Sequence, residues 1–281
     1  MLKSKGESAR KKLLNRHVSD IAVPEILNVC RSVSLTSPLV SIVVPFYNQE
    51  RFVEARMKSI MNQNFRDFEI IILDDASIDN TKEKIKPYKQ FPFVTFIENS
   101  SNSGSVFKQW EKGVRAAKGK YIWIAEGDDI SENNFLENLL PFMKDQDINL
   151  AYCASHTIDE NDFIGREHYL KVGHYRGLKF DETRWKNDYV AHGTDEIINA
   201  LAIRNTIPNV SSALMRKEKL LDIDFVACSK FTCAGDWYTY LSLLSEGKIA
   251  YSSKHLNFHR IHSGSVVGSN KLKIENTIPD Y

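Results

Sequence analysis

The sequence predicts an α/β fold: a mostly parallel central sheet flanked by helices, with an irregular C-terminal region beside it. Short β-branched apolar runs recur near residues 40, 70, 95 and 123, and each gap between them carries apolar side chains at helical spacing. Strands that alternate with helices in this way pair in parallel through right-handed crossovers.

The first run, Leu39-Val-Ser-Ile-Val-Val44, is nearly continuous in apolar residues and closes on Pro45, the pattern of a strand buried on both faces. Over residues 50–62, Phe52, Val53, Met57, Ile60 and Met61 share one helical face. Phe68-Glu-Ile-Ile-Ile-Leu73 is the second strand, and Asp79 with Thr81 suits the cap of the helix that follows. Residues 93–98 form a third strand, 106–117 a third helix and 121–125 a fourth strand. Past Pro141 the regularity fades. Residues 150–153 are a further strand candidate, 155–190 show no clean period, and 194–203 and 236–246 read as helices, the second ended by Gly247. From Ser263 the chain turns polar.

The organisation that follows is a helical lead-in or linker over 1–37, one domain over 38–270 and a polar tail over 271–281. Within the domain, 38–130 forms a ligand-binding half and 131–270 a second, catalytic half. The lead-in carries Arg10, Lys11 and Lys12, and a membrane-surface helix is its alternative reading. With 42% apolar and 26% charged residues, the 281-residue chain has the composition of a soluble globular protein. Its 37 basic residues balance 36 acidic ones, which excludes a general attraction for nucleic acid. No apolar stretch approaches the roughly 20 residues of a membrane span, so the expected address is cytoplasmic, with peripheral association at the inner face of the cell membrane left open. Cys30, Cys153, Cys228 and Cys233 are scattered and lack zinc spacing, so they are read as free thiols.

Parallel sheets place ligands at the carboxyl ends of their strands. Those ends carry Pro45-Phe-Tyr-Asn-Gln-Glu50, Asp74-Asp-Ala-Ser-Ile-Asp-Asn-Thr81 and Glu126-Gly-Asp-Asp129. Neither a Gly-x-Gly-x-x-Gly turn nor a P-loop is present. Tyr47 offers a face to a base, Asp75 an acceptor for an imide N–H, and Asp128 with Asp129 oxygen ligands for a hard dication. Capping and turn formation explain one acidic residue in such a loop; pairs at two strand ends favour a ligand.

These strings, with Asn102-Ser-Gly104 and Ala117-Lys-Gly-Lys-Tyr-Ile-Trp-Ile-Ala-Glu-Gly-Asp-Asp129, resemble the family 2 inverting glycosyltransferases of the GT-A fold, from about Pro38 to Ser265. The resemblance implies a UDP- or dTDP-sugar donor and a divalent metal, Mn2+ or Mg2+. It also implies transfer with inversion to a hydroxyl of a glycan or lipid-linked saccharide acceptor in surface polysaccharide synthesis. Carried over by position, Pro45 and Tyr47 line the base, Asp75 reads the pyrimidine N3–H and Gly104 belongs to the donor loop. Asp128 sits near ribose and sugar, while Asp129 holds the metal; the string Glu126-Gly-Asp-Asp leaves the part of Glu126 open. Ala234-Gly-Asp-Trp-Tyr238 resembles the family's acidic motif at a helix start. It nominates Asp236 as the base, a helix cap being its plain alternative, and Trp237 as an acceptor platform, core packing being its own. Asn257-Phe-His-Arg-Ile-His-Ser-Gly-Ser265 resembles the family's closing segment, giving Arg260 to the diphosphate and His262 to metal or phosphate. Ile207-Pro-Asn-Val-Ser-Ser212 resembles an acceptor-side loop with Asn209 and Ser211 as contacts. Lys108 and Arg115 are either phosphate partners or solvated helix charges.

Three rivals remain at this level. A processive synthase carries membrane helices and a Gln-x-x-Arg-Trp motif, both missing here. An inactive nucleotide-sugar-binding module of a larger multidomain chain sits poorly with intact Asp75, Asp129 and Asp236. A sugar nucleotidyltransferase begins with a glycine-rich basic loop unlike Pro45-Phe-Tyr-Asn-Gln-Glu50.

Overall fold

The computed structural model describes residues 37–166, 178, 180, 182–231 and 234–262. The lead-in, the tail, Cys30 and Cys233 lie outside the described residues; Cys153 and Cys228 are buried free thiols.

The first half runs β1 (Val40–Phe46), α1 (Val53–Met61), β2 (Phe68–Asp74), α2 (Thr81–Ile85), β3 (Val94–Glu98), α3 (Val106–Ala116) and β4 (Tyr121–Ile124). The second half runs β5 (Ile130–Ser131), α4 (Phe135–Leu139), β6 (Ile148–Ile158), β7 (Ile164–Arg166), β8 (Tyr189–His192), α5 (Gly193–Glu196) and β9 (Ala213–Arg216). It closes with α6 (Lys217–Leu221), α7 (Phe225–Cys228), α8 (Gly235–Leu244) and β10 (Lys248–Arg260).

All ten strands join one sheet in the order β3-β2-β1-β4-β9-β6-β10-β5, with β7 on β6 and β8 on β10. The expected parallel register holds from β3 to β4. β9 then enters antiparallel between β4 and β6, and β6 and β10 run parallel to each other, so the sheet as a whole is mixed. β6 and β10 thereby point the same way as β4 and carry the sheet past its carboxyl end.

The β1 run is almost wholly apolar because it feeds two cores, Ser41 being its one buried hydroxyl. Val40, Ile42, Val44 and Phe46 pack with Val53, Met57 and Ile60 of α1 on one face. Val43 packs on the other with Phe107, Trp110 and Val114 of α3 and Tyr240 and Leu243 of α8. Each such side chain contributes roughly 1.5–3 kcal/mol of burial. Pro45 costs β1 no ladder bond to β4, because that pairing already ends at Val43 and Ile124.

The expected helix over 194–203 is α5 followed by a π-turn over Ile197–Leu201. Gly247 ends the chain segment after α8 at φ 79°, where a Cβ would stand 2.6 Å from the Asp147 carbonyl. β10 is the principal strand the sequence pattern hid. Its register shifts between Ser252 and Asn257; before the shift its second neighbour is β8, after it β5. Among the described residues no helix is long and apolar enough to cross a membrane.

Candidate active site

Two loops at the carboxyl edge lock into each other. The backbone N–H groups of Asn48, Gln49 and Glu50 donate to Ser77 Oγ (3.0 Å), Thr81 Oγ1 (2.8 Å) and Asp79 Oδ2 (3.0 Å). In return, Ile78 N–H donates to Asn48 Oδ1 (2.9 Å) and Asn80 N–H to Glu50 Oε2 (2.9 Å). Asn48 and Ala76 take φ of 51° and 60° to make these turns. Most of the polar residues in the two strings are therefore scaffold, and their product is Tyr47, left 46% exposed on a braced loop. Pro45, expected beside Tyr47 at the base, is buried within β1.

Asp75 is 4% exposed. Its Oδ1 accepts from Asn99 Nδ2 (2.6 Å), Ser103 N (2.9 Å) and Gln109 Nε2 (2.9 Å), and its Oδ2 from Ser103 Oγ (2.7 Å) and Asn102 Nδ2 (3.2 Å). A base N–H reaches this carboxylate only by displacing one of those donors. Gly104 turns the same loop at φ 73° with open space above it. Lys108 is tied to the Ser103 carbonyl at 2.9 Å, and Arg115 pairs with Glu111 at 2.8 Å in solvent.

The acidic loop after β4 divides its carboxylates by depth. Asp129, expected to hold the metal, is instead 2% exposed: its Oδ1 accepts from Arg260 N (2.9 Å) and its Oδ2 from Asn209 Nδ2 (2.6 Å). Burial, then the charge of Asp128, pushes its carboxyl above the usual range. Asp128 is the outward one, with Oδ2 3.1 Å from His262 Nε2, and the His262 ring leans on Phe52 at 4.9 Å. Glu126 accepts from Trp110 Nε1 at 2.7 Å; burial and then Asp128 push it up to about 8, so it is protonated at neutral pH.

Three expected ligand contacts are instead bonded within the protein. Arg260, assigned to the diphosphate, is 1% exposed; its guanidinium donates to the Asp128 and Asp159 carbonyls and to Asp162, and lies 4.8 Å from the Phe52 ring. Ser211, assigned to the acceptor, is fully buried, accepts from Glu126 N at 3.0 Å and gives its carbonyl to Trp123 Nε1. Asn209, its companion, spans Asp129 and Asn257 and is a strut beneath the loop.

Asp236 lies in the first turn of α8. Its Oδ1 accepts from Trp237 N (2.7 Å) and its Oδ2 from Asn205 Nδ2 (3.3 Å); burial outweighs these bonds and raises its pKa from 3.8 to about 6. Trp237 is half-buried, with its indole N–H on the Leu201 carbonyl at 2.8 Å, so much of its ring serves the core.

The element that unites these groups is α3. A Cβ on Gly235 would meet the Phe107 ring at 2.4 Å, so α8 starts directly against α3. Gln109 holds Asp75, and Trp110, edge-to-face on Phe107 at 4.9 Å, holds Glu126. Sequence reasoning missed Gln109 and Trp110 as site residues. Their signal was a glutamine flanked by Phe107 and Trp110 on the apolar side of a helix. It missed Arg56 too, an arginine inside the apolar stripe of α1.

A mixed sheet flanked by helices, with acidic loops at the carboxyl edge of its parallel half, is an α/β architecture of the GT-A type. Residues 41–205 match glycosyl transferase family 2, and the chain belongs to that family. It is 26% identical over 231 residues to glycosyltransferase GlyG of Streptococcus pneumoniae, covering 82% of this chain and 73% of GlyG. It is 28% identical over 240 residues to TuaG of Bacillus subtilis, a protein named for teichuronic acid biosynthesis, covering 84% of each. The fold is similar to that of S. aureus TarS 1-349 solved with UDP-GlcNAc, at TM-score 0.62 and 18% identity. That superposition covers 82% of this chain and 60% of the TarS chain.

Proposed function

We propose that the chain moves a sugar, with inversion, from a UDP- or dTDP-sugar to a hydroxyl of a saccharide acceptor in surface polysaccharide synthesis. The observation that carries this reading is that Gln109 and Trp110 in the first turns of α3 hold Asp75 and Glu126, and that α8, which carries Asp236, starts against Phe107 of the same turns. The names of TuaG and of the TarS complex support the polymer class and the nucleotide-sugar donor.

In this reading Tyr47 stacks on the base, and the base N–H displaces Asn102, the donor at 3.2 Å on Asp75 Oδ2. Asp236 takes the proton of the acceptor hydroxyl at its carboxylate oxygen. A base titrating at about 6 is ionised at neutral pH yet far more basic than an ordinary aspartate. Trp237 N–H and Asn205 hold it in place, and the open part of the Trp237 ring receives the acceptor sugar. Asp128 and His262, 3.1 Å apart, would hold the dication through one hard oxygen and one imidazole nitrogen, a set that suits Mn2+ better than Mg2+. Such an ion, when bound, neutralises the charge that builds on the departing diphosphate. Asp129, Asn209 and Arg260 fix the loop that presents Asp128.

The test is incubation with UDP- and dTDP-sugars and Mn2+ in the presence of saccharide acceptors. Acceptor-dependent release of nucleoside diphosphate, with the anomeric configuration inverted by NMR, is the expected result. Release of pyrophosphate, or binding without release under every acceptor, overturns the reading.

A further inference from the structure

Arg56 occupies the apolar stripe of α1 with Val53, Met57 and Ile60, and is 0% exposed. Its guanidinium lies 5.1 Å from the centre of the Trp123 ring, and Nε, Nη1 and Nη2 have no hydrogen-bond partner among the described residues. A buried cation with neither bonds nor counter-charge is among the costliest groups a fold can carry. The carboxylates that act on it most strongly are Asp129 and then Asp128.

The surrounding elements explain why. Trp123 stands on β4 three residues before Glu126, and α1 packs against β5, which opens directly after Asp129. Ser59 Oγ, close to one turn beyond Arg56, is 3.5 Å from Ser131 Oγ. The acidic loop thus passes over the part of α1 that carries Arg56. The other buried guanidinium nearby, Arg260, is already bonded to three groups.

We propose that Arg56 is the resident counter-cation of the acidic loop, a positioning residue whose fixed charge lets Asp128 face a nucleoside diphosphate while Asp129 stays buried beneath it. The inference rests on the function proposed above, because it needs an anionic ligand at that loop. It acts through the carboxylates and not by contact, since no guanidinium surface reaches solvent. One unit charge within about 10 Å, at interior screening, changes the affinity of an anion by about tenfold or more.

The test is calorimetric binding of UDP and dTDP, each with Mn2+, to the whole chain and to Arg56→Lys, Arg56→Gln and Arg56→Met, with melting curves for each. Lysine keeps the charge and loses the fork; glutamine keeps polarity, and methionine keeps the stem packed on Trp123. The expected result is nucleotide affinity within about threefold of wild type for Arg56→Lys and weakened at least about tenfold in both neutral variants. Should Arg56→Met not fold, the lysine and glutamine pair differs in charge and decides alone. Equal affinity in all folded variants overturns the proposal, as does a loss in Arg56→Lys matching that in Arg56→Gln, which assigns Arg56 to shape and packing. A wild-type chain that binds neither nucleotide overturns the functional reading itself.

Discussion

Replacing Asp236 by Asn removes the carboxylate that burial has pushed from 3.8 up to about 6. The folded carboxyl holds its proton more tightly than the unfolded one. The wild-type chain therefore loses stability as pH rises from about 4 to about 6 and keeps that deficit above it. At ~1.4 kcal/mol for each tenfold change in proton affinity, the deficit has an upper bound of about 3 kcal/mol at pH 7 and falls to about half that at pH 5. Asparagine carries no charge to desolvate. Its carbonyl still accepts from Trp237 N, but its amide meets Asn205 Nδ2 and forfeits a bond worth about 1 kcal/mol. The net expectation is a gain of up to about 2 kcal/mol at pH 7, a melting temperature higher by several degrees. Transfer falls at least about 100-fold in the same variant. In the wild type the rate at limiting substrate climbs through pH 6 as the fold weakens. Scanning calorimetry and initial rates from pH 5 to pH 8 read both quantities. A variant that is less stable than wild type at pH 7, or a stability difference unchanged between pH 5 and pH 7, refutes the assignment of a desolvated base.

Other substitutions separate chemistry from scaffold. Asp128→Asn is expected to abolish transfer and leave the melting temperature within about 1 °C, whereas Asp129→Ala strands the Arg260 N–H and Asn209 amide and costs about 2–4 kcal/mol by denaturant melt. Gly235→Ala drives a Cβ into the Phe107 ring at 2.4 Å, shifting the turn that carries Asp236. The expected cost is about 1–3 kcal/mol of stability and about 10- to 100-fold in transfer rate, read by steady-state kinetics. Gly247→Ala strains a φ of 79° and meets the Asp147 carbonyl, costing about 1–3 kcal/mol in a thermal melt while the folded fraction keeps its specific activity.

The parallel half was legible because strands buried on both faces are apolar at nearly every position, and β1, β2 and β4 are, with Ser41 and Glu69 bonded to each other as the internal exceptions. β10 escaped notice for the opposite reason: Ser253, Lys254, His255, Asn257 and His259 break any apolar run because this strand faces solvent at its bend and the site at its end. The motifs placed acidic residues at the ends of the parallel strands but left open the depth of each side chain. Which of two adjacent aspartates points outward is decided by Asn209 and Arg260, 80 and 131 positions further along the chain. The same long-range bonding encloses Arg260 and Ser211, whose residue types suit a ligand contact equally well. Asp75 was placed correctly at its strand end, while its crowd of donors comes from the 99–109 segment and was invisible in its own string.

The change of partner along β10 bears on how such enzymes exchange specificities. Its first stretch pairs with β8 and its last with β5, and that last stretch delivers the Arg260 amide and His262 to the acidic loop of the other half. A chimaera assembled at the natural-looking seam after β5 splits this strand from the loop it was fitted to. Recombination between relatives will yield working hybrids only where the graft transfers residues 126–131 and 257–262 from the same parent.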